Sequence, residues 1–223
     1  MLVKESMTPN PITVEANATL PEIAALMREK KIRRVPVLEH GKLVGIISDH
    51  DIMANMPSPA TTLSRWEMNS LLDQLLARDF MTHPVYVTSP NCSIESNARF
   101  LLEKKIGALP VMEGDQLVGI ITESDIFRTF AAMLSGGGEP GLRFTLRAER
   151  QRGLLAALTA IINDNGGRIL ALATLNEADG VHKQVMVKET GGDTAGIRAA
   201  LDAADIEVLD VRDRNSCNIS TVG

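Results

Sequence analysis

Leu43-Val44-Gly45-Ile46-Ile47-Ser48-Asp49-His50-Asp51-Ile52 is the stretch on which the reading of this chain turns, because it returns as Leu117-Val118-Gly119-Ile120-Ile121-Thr122-Glu123-Ser124-Asp125-Ile126. The two copies stand 74 residues apart, Asp51 to Asp125. Each is an apolar run of strand length that ends on a hydroxyl, with a carboxylate three positions later. Outward from this stretch the offset holds in separate blocks. Met7-Thr8 lies over Met81-Thr82, and Ile32-Arg33-Arg34-Val35-Pro36-Val37 over Ile106-Gly107-Ala108-Leu109-Pro110-Val111. Pro11-Ile12-Thr13-Val14 meets Pro84-Val85-Tyr86-Val87 after one deletion. A shared offset across separated blocks marks a duplication, and two units that each expose an apolar face bury it against one another.

Within each unit the local signals agree. A short strand over 12–14 precedes a helix from Thr19, whose Leu20, Ile23, Ala24 and Met27 recur at helical spacing. Thr19 with Glu22 reads as a capping box, and Ser93 holds the same place in the second copy. Apolar runs over 35–38 and 42–47, joined by Glu39-His40-Gly41, read as a hairpin; Glu113-Gly114-Asp115 is its partner turn. A helix follows Ser48 and Thr122, so each repeat is strand, helix, strand, strand, helix. The repeats occupy 1–56 and 77–134. Between them, 57–76 opens on Pro57-Ser58-Pro59 and continues as a connecting helix from Ser64 through Leu71, Leu72, Leu75 and Leu76; its Trp66, the only tryptophan, is expected to pack.

Residues 135–141, Ser-Gly-Gly-Gly-Glu-Pro-Gly, form a linker. Gly136, Gly138 and Gly141 satisfy G-x-G-x-x-G, but the segment follows a helix and carries Pro140, so it is not read as a dinucleotide loop. Beyond it, over 142–223, come a strand (143–147), a helix (154–165), two strands (169–175 and 181–187), a helix (194–203) and a strand (206–211). This βαββαβ order is ferredoxin-like, and the fold class of the whole chain is mixed α/β (α+β).

Bulk composition excludes several classes. The 223 residues are 44% apolar, enough for a sizeable core. Aromatic residues make up 3% and the formal charge is −5, which argues against nucleic-acid binding, where stacking platforms and clustered cations are needed. No run approaches the roughly 18 apolar residues of a membrane span, and no secretory signal opens the chain, so a cytoplasmic protein is expected. Cys92 and Cys217 lie far apart, and His40, His50, His83 and His182 make no cluster at zinc spacing; no metal is expected. Asn17, Asn91 and Asn218 fit the glycosylation triplet, which means little without a signal. There is no G-x-S-x-G or H-E-x-x-H, and no histidine partner for a serine is evident, so the expected protein is not an enzyme and needs no cofactor.

The candidate chemistry lies in the repeated corner. A strand glycine, a hydroxyl at the strand-to-helix turn and a carboxylate three residues on suit a nucleoside: the carboxylate accepts from ribose hydroxyls, while the hydroxyl and free helix N–H groups face sugar or phosphate. The same S/T-x-x-D pattern is also a helix-capping arrangement that forms with no ligand, and duplication copies caps as faithfully as sites. Both readings stand at this point.

The repeats resemble a CBS-domain pair, through the Met-Thr-x-Pro start, Val35-Pro36-Val37, Leu109-Pro110-Val111 and the two G-x-x-S/T-x-x-D corners. The resemblance covers residues 1 to about 133. It implies a regulatory sensor of an adenosine nucleotide or derivative, such as AMP, ADP, ATP or S-adenosylmethionine. Asp51 and Asp125 would bind ribose, and Ser48 and Thr122 would lie near ribose or phosphate. The base would sit near Thr13, Val35, Tyr86 and Leu109, with Pro36 and Pro110 beside them. Arg33 and Arg34, opposite Gly107 and Ala108, are either phosphate ligands or a solvated surface pair, and in the former case can serve the Asp125 corner rather than Asp51.

The C-terminal region resembles an ACT domain, although only Gly153 and the following leucines fit that family's usual acidic residue, proline and glycine at the first strand-to-helix turn. The combination is similar to the acetoin-utilisation AcuB-type family, which implies a homodimer; its protein target is unidentified, and the composition leaves no membrane or nucleic-acid partner expected. The competing expectation is a structural or dimerisation module with empty clefts.

Overall fold

The computed structural model describes residues 1–57 and 64–213. They fall into two compact units, Met1–Phe127 and Arg128–Gly223. Cys217 and Asn218, like most of the Pro57-Ser58-Pro59 turn, lie outside the described residues.

The first unit runs β1 (Thr8–Pro9), β2 (Val14–Glu15), α1 (Leu20–Lys30), β3 (Arg34–Glu39), β4 (Lys42–Ser48) and α2 (Asp49–Ala54). Then come α3 (Arg65–Leu72), α4 (Ala77–Phe80), α5 (Ile94–Lys104), β5 (Ala108–Glu113), β6 (Gln116–Thr122) and α6 (Glu123–Ser135), whose first residues belong to this unit. The duplication is visible in the core. Leu20, Met27, Val35, Val37, Ile47 and Ile52 are buried, and so are Ile94, Leu101, Leu109, Val111, Ile121 and Ile126 at the same offset. Ile23 is matched by Asn97, which is also buried and whose amide donates to the Ser93 carbonyl at 2.8 Å. Both hairpins close as expected, with Gly41 at φ +77° and Gly114 at +60°, the left-handed region that glycine enters without steric cost. The caps of α1 and α5 form too: the Glu22 carboxylate accepts the Thr19 N–H at 2.8 Å, and Ser93 Oγ accepts the Ser96 N–H at 3.1 Å.

The duplicated blocks are not the units that pack in space. β1 pairs antiparallel with β6 of the second repeat, Thr8 opposite Ile120, giving the sheet order β1-β6-β5. In return Thr82 bridges Ile46 beside the β2-β3-β4 sheet. The exchange extends to the helix entries: the Val3 N–H donates to the Cys92 carbonyl at 2.9 Å, and the Ala77 N–H to the Ala18 carbonyl at 2.8 Å. The two strand glycines explain the Met-Thr pairs. A Cβ on Gly45 would lie 2.1 Å from the Met81 sulfur, and one on Gly119 would lie 2.5 Å from the Met7 sulfur. These glycines make room for the methionine of the other repeat, a role the reading of them as part of a nucleoside site did not include.

Four local expectations are corrected. The strand expected over 12–14 is β2, at Val14–Glu15. Residues 84–87 form no strand; that pairing is reduced to one parallel bridge, Thr88 to Val111. The connecting helix ends at Leu72, and Leu76 instead precedes the short α4. Trp66 is 87% exposed, because α3 is held through Leu72, which packs against the first repeat's core, while the indole faces solvent.

The second unit holds the rest of α6 and then β7 (Leu142–Glu149), α7 (Leu154–Asp164), β8 (Arg168–Asn176), β9 (His182–Thr190), α8 (Thr194–Ala203) and β10 (Glu207–Arg212). Its antiparallel sheet has the order β10-β7-β9-β8, the ferredoxin-like arrangement. Phe144, Leu146, Val185 and Val187 meet Leu154, Leu158, Ile162, Ile197 and Leu201 of the two helices. The glycine-rich segment carries no nucleotide-loop geometry. It is a tight turn over Gly136–Gly138, and the buried Lys188 ammonium donates to the Ser135 carbonyl at 2.7 Å and to the Glu139 carbonyl.

Candidate ligand-binding site

The exchange of entry segments builds a cleft of about 330 Å³ in the first unit. One wall is the first repeat's corner, with Arg34, Ile46, Ser48, His50 and Asp51. The other is the second repeat's entry, Thr82, Pro84, Val85 and Tyr86, together with Lys105, Gly107 and Ala108. Tyr86 reaches the cleft because the Met81-Thr82 pair is anchored across Gly45 and Ile46. Its ring, half exposed, is braced edge-on by Phe100 at 5.2 Å between centroids. An aromatic face in a chain with one tyrosine is a platform on which a purine can stack.

At the corner, Asp51 Oδ2 accepts from the Ser48 N–H at 2.8 Å and from Ser48 Oγ at 2.7 Å, and the Asp51 N–H donates back to Ser48 Oγ at 3.3 Å. Thr122 and Asp125 repeat this at 3.0, 2.7 and 3.3 Å. Both corners are therefore closed reciprocal caps. The cap uses one carboxylate oxygen, Oδ2, and leaves Oδ1 outside it. Asp51 is half-buried and lines the cleft, whereas Asp125 is 7% exposed.

Of the residues expected at a site, the cleft brings together Ser48, Asp51, Arg34 and Tyr86. It does not include Arg33, which is exposed and whose carbonyl accepts the Asp49 N–H at 3.0 Å. Nor does it include Thr13, which is half-buried, or Thr122 and Asp125. Val35 packs in the first repeat's core with Leu20 and Ile23, and Pro36, Leu109 and Pro110 are buried too. The arginines thus part company, and Arg34 lies on the Asp51 side: it stands opposite Ser48 in the β3–β4 register. The other lining residues were not in the expected set, His50, Lys105 and Gly107 among them. Lys105 had a readable signal in its place 74 residues after Lys31, and in the structure both follow their helices in the left-handed conformation, at φ +54° for Lys31 and +53° for Lys105.

In the second unit, Glu177, Asp179 and His182 bring three possible metal-ligating atoms within 4.8 Å of one another, a grouping that spacing alone did not reveal. A side-chain cation already sits among them: Arg147 Nε donates to Glu177 at 3.0 Å and Nη2 to Asp179 at 3.3 Å. Hydrogen bonds from the His182 N–H, the His182 ring and the Val181 N–H hold the Asp179 carboxyl well below the usual carboxylate range. The cluster is an ion-pair network around an arginine. At the turn into α7, Arg150, Arg152 and Lys183 surround a shallow hollow in which Gln151 stands where an ACT domain usually has an acidic residue.

Among the described residues, no helix is long and apolar enough to cross a membrane. The chain matches the CBS domain family over residues 3–58 and 77–132, and the TTHA0829-like ACT domain over 140–212. The MJ1426 protein of Methanocaldococcus jannaschii is 34% identical over 150 residues, covering 56% of this chain and 89% of that one. Among solved structures, AcuB from Vibrio cholerae is 34% identical, with 59% of this chain and 90% of that chain covered and a TM-score of 0.49. A structure of CBSX2 in complex with AMP is 30% identical, with 58% and 96% covered and a TM-score of 0.48. The two family matches cover both repeats and the four-stranded C-terminal unit: the chain belongs to the CBS-domain family, as a pair of CBS domains followed by an ACT domain.

Proposed function

We propose that this protein is a non-enzymatic regulator that binds an adenosine-containing ligand in the Asp51 cleft and passes its occupancy to a protein partner. The observation that carries the reading is the convergence, in one cleft, of a braced tyrosine face, a hydroxyl–carboxylate corner and two cationic side chains. Each group answers a different part of a nucleotide: base, ribose and phosphate. Charge-assisted hydrogen bonds contribute about 1.5 to 3 kcal/mol each, so a few of them with a stacked base reach micromolar affinity, about −8 kcal/mol. Asp125 and Thr122 form a second, more closed corner and are assigned a lesser part in binding. Occupancy can be signalled only if the ligand has different affinities for two arrangements of the chain.

The decisive experiment is calorimetric titration of ligand-stripped protein with AMP, ADP, ATP and S-adenosylmethionine. Saturable heat with one ligand per chain supports the reading, and a ligand at about 100 times its Kd should also stabilise the fold by roughly 2.7 kcal/mol. Absence of heat from all four in folded protein would leave a second reading, a dimerisation module with empty clefts, which the two closed caps favour. Homodimerisation belongs to both readings, and light scattering that finds only monomer removes it. For the pathway, acetoin use or central carbon metabolism is what the AcuB-type likeness suggests; a deletion strain that grows on acetoin like its parent would discard the acetoin link.

A further inference from the structure

The glycine-rich stretch between α6 and β7 has the composition of a flexible tether, yet it lies closed against the sheet of the second unit. Gly136, Gly137 and Gly138 all take positive φ (+62°, +69° and +87°), a run that only glycine enters without steric cost and whose ordering loses the most chain entropy. Lys188 of β9 holds it. Its ammonium is 6% exposed and has no carboxylate partner among the described residues. It donates instead to the carbonyls of Ser135 and Glu139, one on each side of the turn. The contact with the sheet is close: a Cβ on Gly136 would lie 2.6 Å from Leu170 Cβ, and one on Gly141 would lie 2.2 Å from the Glu189 carbonyl oxygen. The turn also ends a continuous run of bonded groups. Gly107, which lines the Asp51 cleft, accepts the N–H of Glu123 at 3.2 Å, and Glu123 is the first residue of α6. Ser135, whose carbonyl Lys188 holds at 2.7 Å, is the last.

We propose that Lys188 and the glycine turn form a latch with two states, closed on the sheet as in this structure and open as a free tether, and that a ligand in the Asp51 cleft acts on the ACT domain by shifting it. The last step rests on the adenosine reading above; the latch itself does not. The closed state balances large opposing effects. Burying an ammonium among carbonyls and ordering three glycines oppose it, while charge-assisted hydrogen bonds and packing on the sheet favour it. A helix moves as one body, so a displacement of the Gly107 carbonyl at the head of α6 is felt at Ser135, where the latch bond is made. A ligand that prefers one position of that carbonyl thereby prefers one state of the latch.

Hydrogen–deuterium exchange of the full chain, read on peptides spanning 134–141, tests both parts. In the natural protein the turn should exchange at least about tenfold more slowly than an unstructured chain. Lys188→Met keeps an unbranched apolar stem without the donor, and should bring the turn close to the unstructured rate while peptides of α7 stay protected. Gly137→Ala asks the same question without disturbing the core, since nothing lies within 4 Å of the added Cβ. The left-handed alanine alone should lower the closed population about five- to thirtyfold. Saturating AMP should change the exchange of the turn at least about twofold in the natural protein, and not in Lys188→Met at equal AMP affinity. A turn whose exchange neither variant raises would overturn the latch. AMP binding that leaves 134–141 unchanged would overturn the coupling and spare the adenosine reading. Absence of AMP binding to the natural protein would count against the adenosine reading instead, with the two variants still deciding the latch.

Discussion

The Asp51 and Asp125 corners share a strand, a glycine, a reciprocal cap and a hydrogen-bond pattern that agree within 0.2 Å, yet they face different surroundings. Asp51 opens onto a cleft with Tyr86, Arg34, Lys105 and His50, where Thr13, Ala108, Lys31 and Ser124 are the counterparts in the other copy. Asp125 is closed over, at the head of the 13-residue α6, whereas Asp51 begins a helix of 6 residues. The difference teaches that a duplicated cap and a duplicated site are separable. Capping needs only the local S/T-x-x-D geometry, while binding needs what the rest of the fold sets in front of it.

That comparison breaks most directly on ligand affinity. Asp51→Asn keeps an acceptor for the Ser48 N–H but removes the charge, and should weaken the binding of an adenosine nucleotide about ten- to hundredfold by calorimetry, whereas Asp125→Asn should alter it little. Equal losses from the two variants would make the corners equivalent sites and erase the distinction. A second effect, on stability, tests whether the exchange of entry segments holds the pair together. Gly45→Ala and Gly119→Ala should each cost about 1 to 3 kcal/mol in urea unfolding through overpacking. Gly119 should be the worse, because beside the Met7 sulfur it meets the backbone oxygen of Thr8 at 3.2 Å, while the three atoms nearest a Cβ at Gly45 all belong to the flexible Met81 side chain. Neutral results at both would mean the methionines are not locks. The smallest effect belongs to Trp66: Trp66→Ala should change stability by less than about 0.5 kcal/mol, and its fluorescence should be that of a hydrated indole before and after unfolding. A blue-shifted emission that reddens on unfolding would show the indole buried in solution.

Much of the fold was legible because its causes are local. Thr19 and Ser93 cap their helices through hydrogen bonds within three residues, and the hairpin turns lie where Gly41 and Gly114 allow positive φ. The βαββαβ order of the C-terminal domain followed from alternating and helical periodicities. Trp66 was misread because a short helix with apolar residues on more than one side does not reveal which side finds a partner. Val35 and Leu109 are strand residues of the right type for a ligand wall, and only packing turned them inward. The parting of Arg33 and Arg34 was likewise invisible, since β3 begins between them, at Arg34, and the sequence does not state on which side of that boundary the cleft lies.

By itself the sequence determined the duplication, most of the helices and hairpins of both units, the capped corners and the types of side chain available to a ligand, because each depends on residues close in the chain or on a repeated pattern. The tertiary structure alone decided that residues 2–9 join the second repeat and residues 76–82 the first. It also decided that Arg34 lies against Gly107 and that the cleft forms in front of Asp51. The physical reason is that these contacts join residues far apart in the chain, from 36 positions for Gly45 and Met81 to 112 for Met7 and Gly119, and what selects them is the packing of a methionine against a glycine, a property of neither residue until the two repeats meet.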